Sequence, residues 1–260
     1  MEENKLADRF DENNKKDTVY WTDGKKVFYW DSDHEVEGAD IESFLHFHGM
    51  WAKDKINCYC YYVKIKNANT RTFQALNNAY AKDKRNVWTF RGRKIRGANT
   101  KTFEACDKGY LYYSDEPDNE RGHEVYMPIG YGKDKNRVYF YDFGTEETFI
   151  VKNACPKTFT SLLGWDIGGR LFGYDKKNVY YRQKKLAKAN PKTWKILKEN
   201  YDYSKDKYIY FKGIIIHSAD VETFEVLDHP NWYPYAKDKN SYYNGAEIIT
   251  KEKFEEGIRK

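Results

Sequence analysis

Cysteine is scarce in this chain: four of 260 residues, Cys58, Cys60, Cys106 and Cys155. That is too few for a disulfide framework. Cys106 and Cys58 stand where other copies of an internal repeat carry Leu and Val, which predicts buried, reduced thiols. Long apolar runs are also missing. No stretch approaches a membrane span, and Met1-Glu2-Glu3-Asn4-Lys5 lacks the apolar core of a secretory signal. The chain therefore reads as soluble and cytoplasmic.

Motifs that carry chemistry are missing too. There is no Gly-x-Ser-x-Gly, no phosphate loop and no dinucleotide fingerprint. No nucleophile is paired with a plausible base. The reading is a non-enzyme with no cofactor. Metal binding is not expected either. His46-Phe47-His48 would share a face on a strand, but on the helix expected there the two imidazoles diverge by roughly 200°. Cys58-Tyr59-Cys60 has one residue between its thiols, which is short for a zinc knuckle. Asp115, Asp118 and Glu120 lack the Asp-x-Asp-x-Asp-Gly frame of a calcium loop.

What the chain has in abundance is tyrosine, 24 residues, and charge, a third of the sequence with a net of only +5. Tyr can bury its ring and keep its hydroxyl wet, which suits thin units with much surface. Charge is unevenly spread. Lys82, Lys84, Arg85, Arg91, Arg93, Lys94, Arg96 and Lys101 form a basic block, 176–198 forms a second, and Asp31, Asp33, Glu35, Glu37, Asp40 and Glu42 form an acidic one.

The organising feature is a repeat. In Asp83–Ala105, Asp83-Lys84-Arg85-Asn86 is a polar turn and Val87-Trp88-Thr89-Phe90 a short strand. Arg91-Gly92 is a reversal and Lys94-Ile95-Arg96 a returning strand, so the pair is a hairpin. Asn99 then reads as a helix N-cap with Phe103 at the fourth helical position. The leading Asp recurs at 23, 54, 83, 134, 175, 206 and 238. The cap motif recurs as Ala39-Asp40…Phe44, Ala68-Asn69…Phe73, Ala98-Asn99…Phe103, Ala154-Cys155…Phe159, Ala189-Asn190…Trp194 and Ala219-Asp220…Phe224, with Thr250…Phe254 a degenerate seventh copy. Pro156 and Pro191 at the first helical position favour a helix. Cys155 is a poor cap, so the fourth helix is expected to start least well. Units this small must stack to bury a core. The expected fold is therefore an α+β repeat, hairpin plus short helix, in an elongated solenoid-like array. Residues 1–16 form a polar segment expected to be flexible, and 17–260 a single repeat domain of about seven units with an insertion at 107–131.

The best copies are Lys133-Asp134-Lys135-Asn136-Arg137-Val138-Tyr139-Phe140, Asp175-Lys176-Lys177-Asn178-Val179-Tyr180-Tyr181 and Lys237-Asp238-Lys239-Asn240-Ser241-Tyr242-Tyr243. This pattern resembles the DKNYY family of bacterial repeat proteins from about Thr18 onward. The resemblance implies a bacterial origin; it carries no assigned activity and no catalytic residues. Asp23-Gly24-Lys25-Lys26 and Asp54-Lys55-Ile56-Asn57 depart from the motif.

The repeat is interrupted in its middle third. Phe103 lies 31 positions before Asp134, against 10 for the Phe44–Asp54 and Phe73–Asp83 pairs. The excess reads as an inserted hairpin with an acidic tip. Smaller insertions lie at 141–149 and 164–169. Insertions in repeat proteins map to loops, often on a binding face. The candidate partner-binding residues are therefore Tyr110, Tyr112, Tyr113, Asp115, Glu116, Asp118, Glu120 and Tyr126, with Trp165 from the third insertion. The reading is a non-catalytic protein-binding scaffold whose partner is another protein. In a bacterial cytosol one such job is neutralising a toxin as an immunity protein. Two alternatives stand beside it. One is nucleic-acid binding through Arg91–Lys101 and Lys176–Lys198 with Trp88 and Trp194. The other is carbohydrate binding through exposed Tyr and Trp.

Overall fold

The structure is a computed structural model that describes residues 3–5, 7–8, 20–29, 33–47, 50–107, 129–162, 171–198, 202–228 and 234–259. The chain forms two compact units, Met1–Ile150 and Val151–Lys260.

Each full repeat is a four-stranded antiparallel meander. Around Asp83 the strands are Gln74–Ala75, Tyr80–Lys82, Val87–Thr89 and Arg93–Lys94, each paired with the next. The expected hairpin is present as the third and fourth strands. Its reversal is the tight turn Phe90–Gly92, where Arg91 and Gly92 both adopt positive φ, 58° and 67°. The Asp83 turn joins the second strand to the third, because Asp83 N–H donates to the Asn86 carbonyl at 2.9 Å. The same order recurs across 104–150, and in the second unit across 160–185, 195–216 and 225–249. In the first unit, Leu45–Phe47, Trp51–Lys53, Cys58–Cys60 and Val63–Lys64 gain a fifth strand, Glu3–Lys5, on Leu45–Phe47. The sheet of Tyr20–Thr22 and Val27–Tyr29 gains Ala7–Asp8, paired in parallel with Tyr20–Thr22. The lengthened hairpin at 141–149 is there as Val138–Asp142 against Glu147–Ile150.

The α+β expectation is overturned. The described residues are nearly all β, with 39% strand against 7% helical, and no hydrogen-bonded ladder among them runs on from sheet to sheet into a solenoid. The cap chemistry forms, but in the copies before Thr250 it closes no more than a single turn, which at Ile41–Ser43 is a 3-10 turn capped by Asp40. The Asn99 side-chain oxygen accepts the Thr102 N–H at 3.3 Å, and the same N–H meets the Asn99 carbonyl at 3.2 Å. That closes one turn. The chain then extends, and Glu104–Ala105 pairs with Gly132–Lys133. A second helical turn would add one bond per residue after a costly nucleus; extension gains ladder bonds at once and buries Phe103. Pro156 and Pro191 occupy the second position of these turns, where proline suits a type I turn as well as it suits a helix start. The copy at Cys155 turns like the rest, with Thr158 N–H on the Cys155 carbonyl at 3.0 Å. The single α-helix of the described residues, Lys251–Ile258, follows the copy that looked most degenerate. There Thr250 caps Lys253, and Lys251, Glu252, Glu255 and Glu256 are strong helix formers.

The core is aromatic. Three residues before each leading Asp stands Tyr20, Trp51, Tyr80, Tyr131, Phe172, Tyr203 or Tyr235. The Phe of the cap motif lies between one of these rings and the aromatic five residues after the next Asp. Ring centroids are 5.4 and 5.7 Å apart for Tyr20–Phe44–Tyr59, 6.2 and 6.0 Å for Trp51–Phe73–Trp88, and 5.3 and 5.7 Å for Tyr80–Phe103–Tyr139. In the second unit Tyr203–Phe224–Tyr243 repeats the pattern at 5.4 and 5.3 Å. The residue that follows the first ring is small in six of the seven copies, Ala52, Ala81, Gly132, Gly173, Ser204 and Ala236, and is Trp21 in the first. At Gly132 a Cβ would sit 2.7 Å from Phe103 Cζ. Several of the buried aromatic donors are bonded inside the protein rather than to water. Tyr80 Oη donates to the Gly130 carbonyl at 2.9 Å, and Trp51 Nε1 to the Asn77 carbonyl at 2.8 Å. Tyr20 Oη lies 2.8 Å from both the Met50 and Tyr61 carbonyls, so its one proton is shared.

Candidate functional site

The repeated Asp turns one carboxylate to its own turn and the other oxygen to the preceding cap segment. Asp134 Oδ1 accepts the N–H groups of Asn136 and Arg137 at 2.8 and 2.9 Å. Its Oδ2 accepts the Asn99 N–H at 2.8 Å and the Tyr139 hydroxyl at 3.0 Å. Asp54 makes the same four bonds with Ile56, Asn57, Asp40 and Tyr59. Asp175 makes them with Lys177, Asn178, Cys155 and Tyr180, and Asp238 with Asn240, Ser241, Asp220 and Tyr243. Asp83 lacks only the hydroxyl, because Trp88 stands in the tyrosine place. The Asp-Lys-x-Asn-x-Tyr motif is thus a clasp, in which the Asp carboxylate, the turn N–H groups and the Tyr hydroxyl are paired with one another.

The clasp is reinforced by the cap segment. Its last Thr or Ser accepts the N–H of the Lys after the next Asp: Ser43 from Lys55 at 3.0 Å, Thr72 from Lys84 at 3.4 Å, Thr102 from Lys135 at 3.1 Å. Thr100 reaches the other way, donating to the Lys84 carbonyl at 3.2 Å. In the first unit, turns and cap segments therefore alternate as one stacked edge: 54–57, 69–72, 83–86, 99–102, 134–137. The reversals between third and fourth strands, and the loops between first and second, lie at the opposite end of the strands. The described roots of the insertion at 107–131, Asp107 and Ile129, lie at that opposite end.

The electrostatics follow from this geometry. Burial pushes the Asp134, Asp175 and Asp238 carboxyls up, but the N–H and hydroxyl donors together outweigh it and hold all three below the usual carboxylate range. The paired tyrosines move the other way. Tyr139 is pushed up to about 12 by burial and by its bond to the Asp134 carboxylate. Burial likewise pushes the Cys58 and Cys60 thiols up to about 12 and the Cys106 thiol higher. All four cysteines are free, with Cys58 and Cys60 buried, Cys106 half-buried and Cys155 exposed. A hydrogen bond with the Thr158 side chain leads the causes that lower the Cys155 thiol.

Every residue proposed as partner-binding, Tyr110, Tyr112, Tyr113, Asp115, Glu116, Asp118, Glu120, Tyr126 and Trp165, lies outside the described residues. The root of the insertion is described: the Asn77 amide donates to buried Asp107 at 2.7 Å. His46 is buried on the strand Leu45–Phe47, not on a helix; His48 lies outside the described residues. Trp88, offered as a base-stacking residue, is buried. Trp194 packs on Phe172 with ring centroids 5.3 Å apart. The basic block 82–101 is not one patch. Lys82 Nζ donates to the Phe103 carbonyl, and Arg91 and Arg93 pair with Glu146 at 3.4 and 2.8 Å at the reversal end. The acidic block is also divided: Glu35 pairs with Lys26 and Asp40 with Lys55, while Asp33, Glu35 and Glu37 face a cleft of about 690 Å³ beside Tyr62 and Lys64. Among the described residues no group of three or more His, Cys, Asp or Glu is placed to hold a metal ion, and no helix is long and apolar enough to cross a membrane.

A family model, that of the DKNYY family, matches the chain three times, at residues 45–121, 118–212 and 207–258. No curated protein and no solved structure matches it.

Proposed function

The chain belongs to the DKNYY family, and from that premise we propose that it is a non-catalytic scaffold that binds another protein. The observation that carries the reading is the clasp. The repeated Asp and Tyr side chains are engaged in holding sheet to segment, so in the described residues these parts of the motif contribute cohesion. What differs between copies is the connection at the reversal end, where the insertion carrying Tyr110, Tyr112, Tyr113, Asp115, Glu116, Asp118, Glu120 and Tyr126 is rooted. Aromatic stems around a charged tip have the composition of an interface hot spot. Neutralisation of a toxin as an immunity protein is one job of this kind.

The test begins with capture of partners on the full chain, before and after nuclease treatment. The captured protein is then purified and titrated against the chain. Saturable one-to-one binding that survives nuclease is expected. A second arm replaces Ser114–Gly122 by Asn-Gly, which loop-closure entropy makes inexpensive for folding; affinity should fall about ten-fold, roughly 1.4 kcal/mol. A complex that disappears with nuclease would overturn the reading in favour of nucleic acid. Unchanged affinity with unchanged melting would remove the insertion from the interface.

A further inference from the structure

The stacked edge of turns and cap segments in the first unit carries more exposed cations than the clasp carboxylates within it. Arg71, Lys84, Arg85, Lys101, Lys135 and Arg137 are all exposed on it. None of the six forms an ion pair among the described residues. They come from two cap segments and two turns that are distant in sequence. The bonds Lys84 N–H to Thr72, Thr100 to the Lys84 carbonyl and Lys135 N–H to Thr102 bring those segments side by side. At the other end of the same strands, Arg91 and Arg93 share the Glu146 carboxylate. These six cations thus share one edge, at the opposite end of the strands from Asp107 and Ile129, the described roots of the insertion.

A second observation lies on the same edge. The tip of the Asp54 turn is Ile56, 65% exposed, the most exposed large apolar side chain of the described residues. Thr70 of the next segment reaches the Lys55 carbonyl at 3.5 Å, so Ile56 sits at the head of the cationic row. Lys55 beside it is already paired with Asp40 at 2.7 Å. An apolar tip bordered by cations matches the anatomy of a protein interface, an apolar anchor within a charged rim. Nucleic acid would ask for exposed rings on which bases stack, and here the nearby Trp88 and Phe103 are buried.

We propose that this edge is a second docking surface, separate from the insertion, and that it takes an acidic protein segment carrying an apolar side chain that seats on Ile56. The backbone of the edge is fixed by the Asp clasps, so the cations are presented on a rigid frame and little ordering is lost on binding. The long-range field of the row speeds encounter with an acidic partner and weakens as salt rises.

The test uses the full chain and a fluorescent peptide of about twenty residues built from Glu, Asp and Leu, at about 50 mM salt. Its companions are the same peptide with Ser for Leu, and a single-stranded DNA of equal charge. The chain with Lys84→Glu, Lys101→Glu and Lys135→Glu should bind the Leu peptide at least about ten-fold more weakly. These side chains are exposed and only their backbone is used by the fold, so melting should not change. If the triple variant melts early, the matching Gln variant is read instead, with a loss of about three-fold expected. A control with Lys176→Glu, Lys184→Glu and Lys192→Glu in the second unit carries the same charge change and should lose less than about three-fold. Ile56→Ser should abolish the preference for the Leu peptide over the Ser peptide. Shortening the insertion should leave peptide binding unchanged, which separates this surface from the partner site proposed above. Equal losses in both triple variants, DNA binding tighter than the Leu peptide, or no peptide binding by the parent chain would each overturn the proposal.

Discussion

Replacing Asp134 by Ala tests the clasp directly. Asp134 is 3% exposed and accepts four hydrogen bonds, two from its own turn and two from the Asn99 N–H and the Tyr139 hydroxyl. Asn136 and Arg137 are exposed, so water can replace the two turn bonds. The inward pair cannot be replaced so easily, because Tyr139 is buried. A hydrogen bond to a charged acceptor contributes about 1.5–3 kcal/mol, so losing the inward pair should cost about 3–6 kcal/mol. For a unit of this size that is a fall of roughly 6–24 °C in melting temperature, at about 2–4 °C per kcal/mol. Asp134→Asn keeps the Oδ1 acceptor but turns an amide donor toward the Asn99 N–H, so an intermediate loss of about 2 kcal/mol is expected. Asp23 is the internal control: it accepts only the Lys25 and Lys26 N–H groups of its own exposed turn, and Asp23→Ala should move the melt little. Differential scanning calorimetry on the three variants is the assay. The sign of the pH dependence follows from the same bonds. The Asp134, Asp175 and Asp238 carboxyls are held low in the folded state, so their stabilisation is complete above the unfolded carboxyl pKa of about 3.9. It is lost as pH falls through the lower folded values. Melts should be level from neutral down to about pH 5 and drop steeply below about pH 4, and Asp134→Asn should shed part of that drop. An Asp134→Ala protein that melts with the parent, or an Asp23→Ala protein equally damaged, would refute the clasp as the fold's main polar support.

Three further outcomes are expected. Gly132→Ala should cost about 1–2 kcal/mol by overpacking against Phe103, and Gly132→Val more, as read by chemical denaturation; a neutral valine would mean that the ring is not seated on the strand. Tyr80→Phe removes the donor to the Gly130 carbonyl and should cost about 1 kcal/mol, with no change in the aromatic near-ultraviolet signal beyond the lost hydroxyl. Under native conditions at mildly alkaline pH, Cys155 should react first with a disulfide reagent, and Cys58, Cys60 and Cys106 only on unfolding; tryptic mapping of the labelled thiol decides it.

The period and turn chemistry were legible because they are local. Asp-Lys-x-Asn specifies its own turn through bonds two and three residues on, and Val87–Thr89 with Arg93–Lys94 is a hairpin from adjacent residues. The strands on the other side of the Asp were not legible. Gln74–Ala75 and Glu104–Ala105 are two residues long, too short to show alternation. The helix expectation failed for a specific reason. Asn or Asp, then Pro or Thr, then Thr three residues on serves a helix start and a type I turn alike. Which one forms is decided by Asp Oδ2 on the cap N–H, a partner 35 positions away for Asn99 and 14 away for Asn69. The charged surface was misread on the same scale. The block 82–101 is continuous in sequence, yet its Arg91 and Arg93 belong to one end of the strands and its Lys84, Arg85 and Lys101 to the other. Arg71, Lys135 and Arg137 join the latter group only through the stacking of separate repeats.

The two ends of the strands also differ in how much length they absorb. From the capped residue to the clasping Asp the separation is 14, 14, 35, 20, 16 and 18 positions along the chain. The variation falls in the loop between first and second strands, at the reversal end. At the turn end one copy departs, and it shows why others do not. Asp206 has lost a residue from its turn, so its N–H meets the Tyr208 carbonyl at 3.0 Å. Its Oδ1 then accepts the Thr193 hydroxyl at 2.5 Å in place of the turn N–H groups, and Tyr210 donates to the Ala187 carbonyl in place of the Asp. One missing residue exchanges three of the four clasp bonds, leaving only Oδ2 on the Asn190 N–H at 2.7 Å. An insertion of twenty residues there would leave buried donors with no acceptor in reach, whereas at the reversal end it displaces only a loop. The fold thus keeps one edge rigid and cationic and lets the other vary. That division is why a partner matched to the clasped edge and a partner matched to the insertion should prove separable by mutation.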